Sequence, residues 1–159
     1  MALAVLDRVT GIELDKRAAE VAQSRFADDA RVQVCQASFD DRPSGTWDLV
    51  TLVAVLHHLP LQRTLVDAKA LVNPGGRLVV VGLSRDSPGL WSLISILLNP
   101  LVGMLAHPRG DGASPQSAIA PARPATESLA EIRAVATNVL PGVQVRTGPF
   151  WRYTLVWTA

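Results

Sequence analysis

The sequence predicts an α/β fold in which a mostly parallel sheet is covered by helices and closed at its carboxyl end by two antiparallel strands. Three observations lead there. Short β-prone runs alternate with helical stretches over the first half of the chain. Two of those runs, Asp48 to Val53 and Arg77 to Gly82, are almost continuously apolar, as strands buried on both faces are. The last two runs are separated only by Gly148-Pro149, a connection too short for a crossover and suited to antiparallel pairing. At 159 residues, 48% of them hydrophobic and 18% charged, the chain is expected to form a single domain over residues 1-159 with one core.

In chain order, Val9-Thr10-Gly11-Ile12-Glu13 reads as a strand that ends in an acid. Asp15 then stands at an N-cap before a helix from Lys16 to Phe26, whose apolar spacing falls on Ala18, Val21, Ala22 and Phe26. Val32 to Gln36 alternates as a strand. Asp41-Arg42-Pro43-Ser44-Gly45 supplies a turn into the strand Asp48 to Val53. Leu61 to Leu71 has helical spacing and is stopped by Asn73-Pro74-Gly75-Gly76, since proline cannot continue a helix and the glycines allow a tight reversal into Arg77 to Gly82.

The character of the chain changes after Ser84. Ser87 to Ala106 carries no charged side chain, and Gly110 to Pro124 is rich in Pro, Ala, Gly and Ser. An apolar, lid-like insertion followed by a flexible loop is expected over about residues 85-124. Thr126 is the expected cap of a helix from Glu127 to about Asn138. Val143 to Thr147 and Trp151 to Trp157 are the closing strands.

Fifteen Lys and Arg against fourteen Asp and Glu leave no field of one sign, which argues against nucleic acid as a partner. Cys35 is the only cysteine, so no internal disulfide can form. The three histidines are poorly spaced for a metal site, and none is expected. Met1 to Arg8 has neither a basic region nor a small-residue cleavage site, so it does not read as a signal peptide and a cytoplasmic protein is expected. Ser87 to Ala106 is long enough to span a bilayer, but Ser92, Ser95, Asn99 and Pro100 interrupt it. It reads as a pocket wall or lid, with membrane-surface contact through residues 87-106 as the alternative. The oligomeric state is not legible.

Glu13 is the first residue with a chemical meaning. A carboxylate at the carboxyl end of a parallel strand points into the crevice where nucleotide cofactors lie, and its two oxygens can accept bonds from both hydroxyls of a ribose. A solvated loop acid would look the same in the sequence.

Val9 to Asp15, the stretch Thr46-Trp47-Asp48-Leu49-Val50 leading to Val55-Leu56-His57-His58-Leu59, and Leu71-Val72-Asn73-Pro74-Gly75-Gly76-Arg77-Leu78 resemble, in order and spacing, the second, fourth and fifth strand motifs of the class I S-adenosylmethionine-dependent methyltransferases. The closing antiparallel pair is similar to the hairpin that ends that family's Rossmann-like sheet. The resemblance implies S-adenosyl-L-methionine as cofactor and methyl transfer to a small-molecule substrate. By the same resemblance Glu13 would hold the ribose hydroxyls and Leu14 would lie beside the adenine. Ser38 and Phe39 stand where the family has an acid for the adenine amino group and a residue flanking the ring. Val53 would meet the methionine portion through its backbone. Ser38 departs from the pattern, because a hydroxyl accepts less strongly than a carboxylate.

The family's first strand and Gly-rich loop are expected upstream of Val9, where only Met1 to Arg8 stand, so the chain is expected to be an amino-terminally truncated domain with its first strand missing and its activity impaired. In the family's topology the missing strand separates Val9 to Glu13 from Asp48 to Val53. Either those two strands close up or the chain is incomplete as a folding unit, and the second outcome is the one expected. His57 and His58 have two readings, a base facing the substrate or caps of the following helix, and no catalytic residue is assigned. Two other functions compete: a non-catalytic remnant acting as an interaction module, and a nicotinamide-dependent oxidoreductase, which shares the strand-acid feature.

Overall fold

A computed structural model describes residues 6–85, 124–148 and 152–159. By its contacts the chain divides between Ser44 and Gly45 into two compact units.

The first unit holds β1 (Val9–Glu13), α1 (Lys16–Arg25) and β2 (Val32–Gln36). β1 and β2 run parallel, with Val9 opposite Val32 and Glu13 opposite Gln36. Asp15 caps α1 as expected, its side chain accepting from the Ala18 amide at 2.8 Å. The buried stripe of the helix differs from the expected one. Ala19 is buried and Ala22 half-buried, while Ala18, Val21 and Phe26 are exposed. A two-stranded sheet offers a narrow surface, so only one line of small side chains is covered, and the Gln23 side chain fastens it by donating to the Val34 carbonyl at 3.0 Å. Phe26 is the C-cap rather than a helical residue. The return to β2 is braced by Arg31, whose guanidinium grips Asp29 in two bonds of 2.9 and 2.7 Å.

The second unit holds β3 (Trp47–Val53), a 3-10 turn (Leu56–His58), α2 (Leu61–Ala70), β4 (Val72–Leu83), α3 (Leu129–Val139), β5 (Gln144–Thr147) and β6 (Arg152–Thr158). Its sheet has the order β3-β4-β6-β5. β3 and β4 are parallel, and β6 is antiparallel to both β4 and β5, so the closing hairpin is present and its last strand lies inside the sheet. β1 and β2 form a two-stranded sheet of their own.

The core of this unit lies on one face of its sheet. Antiparallel partners share a face, and the pairs Leu78 with Trp157 and Val80 with Leu155 put four buried side chains in two rows. Leu65 and Ala68 of α2 and Ile132, Ala136 and Leu140 of α3 and its cap complete that core. Each fully buried leucine stabilises the unit by about 1.5–3 kcal/mol relative to exposure. Lys69 ties the two helices at their ends, donating to the Val139 carbonyl at 3.0 Å. The Trp157 indole N–H donates to Pro141 at 3.1 Å.

Two local expectations are corrected. The cap of α3 is Ser128, not Thr126: Ser128 and Glu131 form a reciprocal capping box, and the serine oxygen accepts from the Glu131 amide at 3.2 Å. Thr126 instead donates to the Glu127 carboxylate at 2.9 Å. Asn73 to Gly76 is not a loop before β4 but an excursion within it, for Trp47 faces Val72 whereas Leu49 already faces Arg77. The excursion is held by Asn73 donating to the Asp48 carboxylate at 2.8 Å and by backbone bonds of Gly75 and Gly76 to Ala159. Gly75 has φ +79°, a left-handed conformation in which a Cβ is strained. The insertion expected over residues 85–124 lies almost wholly outside the described residues.

Candidate functional site

Residues at the carboxyl ends of parallel strands are the ones an α/β sheet offers to a ligand. In the first unit these are Glu13 and Leu14 after β1, and Ser38 and Phe39 after β2. Glu13 ends β1 opposite Gln36, and its own carbonyl accepts from the Ala37 amide at 3.0 Å, which fixes the start of the loop carrying Ser38 and Phe39. One oxygen of its carboxylate accepts from the Asp15 amide at 2.9 Å. That single bond orients the group, and among the described residues the other oxygen has no partner. Leu14 is 71% exposed, an apolar side chain beside an open carboxylate oxygen.

Ser38 is engaged by its own loop. Its hydroxyl donates to the Asp41 carboxylate at 2.7 Å and accepts from the Asp41 amide at 3.2 Å. Phe39 is half-buried beneath Arg42, whose guanidinium carbon lies 4.4 Å from the ring centre and whose Nη1 donates to the Phe39 carbonyl at 2.6 Å. The Arg42 Nε is enclosed with no partner among the described residues. The structure thus brings Glu13, Leu14, Ser38 and Phe39 to one end of one sheet. Asp41 and Arg42, which position the last two, were not singled out in the sequence. The Ser38-x-x-Asp41 spacing, typical of a side chain closing a turn, was the available signal.

Val53 belongs to the second unit, at the carboxyl end of β3, and is 61% exposed. The next residue, Ala54, has φ +53°, and its amide donates to the Val81 carbonyl at 2.7 Å. A left-handed alanine costs roughly 1 kcal/mol and persists only where surrounding bonds demand it. It turns the chain sharply off β3 into the 3-10 turn that carries His57 and His58. These two rings lie 3.9 Å apart, tilted by 41°. Neither caps a helix: the N-cap of α2 is Pro60, and the 3-10 turn has no side-chain cap. The capping reading of the histidines is therefore wrong. Among the described residues His57 Nδ1 is enclosed without a partner, and burial, aided by the neighbouring His58, holds its pKa below the ordinary histidine value, against an opposing pull from Glu127.

Across the sheet, Tyr153 on β6 faces Gly82 on β4. Burial, with Glu127 adding to it, pushes the tyrosine pKa up to about 12. Glu127 is held near the end of β4 because its carbonyl accepts from the Arg85 amide at 2.8 Å. Among the described residues no three His, Cys, Asp or Glu side chains gather as a metal site, and no helix is long and apolar enough to cross a membrane. Residues 87–106, named as a lid or membrane-contacting stretch, lie outside the described residues.

Residues 1–80 match a family described as a methyltransferase domain. Uncharacterized methyltransferases of Mycobacterium bovis and Mycobacterium tuberculosis are 31% identical to the chain over 157 residues, covering 95% of it and 76% of their own length. Among solved structures, a SAM dependent methyltransferase from Aquifex aeolicus superposes with a TM-score of 0.57 at 14% identity, covering 95% of this chain and 68% of that one. PigF, solved with SAH, superposes with a TM-score of 0.58 at 18% identity over 95% of this chain and 43% of its own. The family match over half of the chain and the relatives that it covers to three quarters of their length establish the affiliation: the chain belongs to the methyltransferases.

Proposed function

We propose that this chain uses S-adenosyl-L-methionine to methylate a small hydrophobic molecule, and that Glu13 holds the ribose of the donor. One observation carries the reading: the Glu13 carboxylate is oriented by the Asp15 amide through one oxygen and open at the other, at the carboxyl end of β1. A ribose diol needs such an acceptor, and a charged acceptor strengthens each bond. Exposed Leu14 and half-buried Phe39 offer apolar surface to an adenine ring. Ser38 donates its hydroxyl proton to Asp41 and already accepts from the Asp41 amide, which leaves one lone pair to offer the base. When bound, S-adenosylmethionine supplies a methyl group activated on a sulfonium.

The remaining work of the protein is alignment of a nucleophile with that methyl group, which by itself accounts for much of the acceleration in such transfers. Val53, at the end of β3, and Val55, just after it, are exposed apolar side chains of the second unit, and such a surface supports a hydrophobic substrate. The nicotinamide reading is set aside by the family affiliation.

The test is a calorimetric titration of the purified chain with S-adenosylhomocysteine. Micromolar binding that weakens by about tenfold in Glu13→Ala, a loss of about 1.4 kcal/mol, is expected. A cooperatively folded chain that takes up no S-adenosylhomocysteine would overturn the proposal and favour an interaction module without catalysis.

A further inference from the structure

We propose that Asp41, acting through Ser38, makes this chain selective for a purine that offers an amino group, and so for adenine over a 6-oxo purine. The inference rests on the cofactor reading above and deepens it by naming the pair of residues that tells one base from another. Both residues lie in the first unit, as does Glu13.

The loop after β2 leaves the sheet at a fixed level. The Ala37 amide donates to the Glu13 carbonyl at 3.0 Å, so Ser38 stands one residue beyond a bond to the strand end that carries the ribose acceptor. Two ties then close the loop, each between residues three apart. Ser38 Oγ donates to the Asp41 carboxylate at 2.7 Å and accepts from the Asp41 amide at 3.2 Å. Arg42 Nη1 donates to the Phe39 carbonyl at 2.6 Å, and the guanidinium carbon lies 4.4 Å from the Phe39 ring centre. Ser38 and Phe39 are therefore in place before a ligand arrives, and binding has little of the loop left to order.

A serine hydroxyl ordinarily has no fixed sense. Its proton rotates to suit the partner, so it serves an amino group or a carbonyl equally well. At Ser38 that freedom is removed. A carboxylate only accepts, and the 2.7 Å contact places the hydroxyl proton on the Asp41 side. The Asp41 amide takes one of the two lone pairs. What remains is one lone pair on an oxygen made more negative by the carboxylate at the far end of its O–H bond.

Such an oxygen can receive an N–H and has no proton to give a carbonyl. Toward adenine it accepts from the 6-amino group. Toward hypoxanthine it sets a lone pair against the 6-oxygen, which loses the bond and leaves an acceptor unsatisfied. The donor nearest in the chain is also withheld: Arg42 has Nη1 on the Phe39 carbonyl and Nε enclosed with no partner among the described residues. Asp41 is thus a positioning residue. It fixes which way Ser38 bonds, and Ser38 touches the base.

The experiment is a pair of calorimetric titrations of the full chain, one with S-adenosylhomocysteine and one with S-inosylhomocysteine, which differs in carrying the 6-oxo base. The readout is the ratio of the two dissociation constants, which a merely structural role of Asp41 would not move. The unaltered chain is expected to prefer the adenine ligand by about tenfold or more. Asp41→Ala frees the hydroxyl to rotate, and Ser38→Ala removes it, so in each the ratio should fall to within about twofold of one. Ser38→Asp added to Asp41→Ala restores an acceptor that cannot donate and should bring the preference back. Asp40→Asn removes the same charge one residue away and should leave the ratio unchanged. Equal binding of both ligands by the unaltered chain, an unchanged ratio in Asp41→Ala or Ser38→Ala, an equal fall in Asp40→Asn, or no recovery in the double variant would overturn the inference while leaving the cofactor reading intact. Failure of S-adenosylhomocysteine to bind the unaltered chain would overturn the cofactor reading, and this inference with it.

Discussion

Gly82 and Tyr153 face each other across β4 and β6, and the tyrosine ring fills the space that any side chain at 82 would occupy. A Cβ at 82 would meet three atoms of the tyrosine side chain, the ring carbons Cζ and Cε1 and the phenolic Oη. The ring is 2% exposed and cannot swing away without leaving the core. Gly82→Ala is expected to destabilise the protein by about 1–3 kcal/mol, as overpacking does. Urea denaturation measures it, and replacing Tyr153 by leucine in the same chain should return part of the loss.

Tyr153 is the only tyrosine, so its titration can be read directly from tyrosinate absorbance. The midpoint is expected near 12, against about 10 for the unfolded chain. Because the folded state holds this proton more tightly, the associated stability is complete below about pH 10 and lost as pH rises through about 12. Glu127→Gln should move the midpoint down, since the carboxylate is the smaller of its two causes.

For His57 the sign is reversed. Its pKa is lowered in the fold, first by burial, so the unfolded chain takes up the proton earlier as pH falls. The stability due to its neutral form is present above the ordinary value of 6.5 and declines as pH drops through the lower folded value. Nitrogen-15 spectra across that range should show His57 titrating below 6.5, and His57→Gln should flatten the acid limb of a stability profile.

Ser128→Ala is expected to cost about 1 kcal/mol, the usual worth of an N-cap oxygen, because it removes the acceptor for the Glu131 amide. Thr126→Ala, at the position the sequence favoured, should change stability by less than about 0.5 kcal/mol. Thermal melts of the two variants side by side decide between the caps.

Gly76→Ala should be more damaging than an ordinary loop substitution. A Cβ there would lie 2.9 Å from the carbonyl oxygens of Asn73 and Asp48 and from a methyl of Val72. Two of these are backbone atoms and cannot rotate aside. A loss of about 1–3 kcal/mol is expected from chemical denaturation.

Most strands were legible because apolar runs with turn residues at both ends leave little choice of element. β1 and β2 fall on the residues their patterns marked, and β3 starts one residue earlier. What the sequence hid were matters of partnership. The buried side of α1 depended on the width of the sheet beneath it, which no helical periodicity reports. The excursion at Asn73 to Gly76 looked like a terminator because Pro and Gly signal loops equally well outside and inside a strand. The choice between Thr126 and Ser128 turned on a glutamate three residues on, a reciprocal pair that a single capping residue does not reveal. Of the candidate site, Glu13 could be named from its place after a strand. The orphaned nitrogen of His57 could not, because enclosure is a property of the folded surroundings.

β6 is an inner strand of its sheet although it is made from residues 152–158. During synthesis, β3, β4 and β5 therefore emerge before the strand that joins β4 to β5 exists. The unit cannot assemble progressively from its amino end, and its sheet remains open to other chains until residue 158 has left the ribosome. Closure is then a long-range event, the slow kind. A stalled or prematurely ended translation product would present two unsatisfied strand edges at once, which makes it a ready target for chaperones or for aggregation.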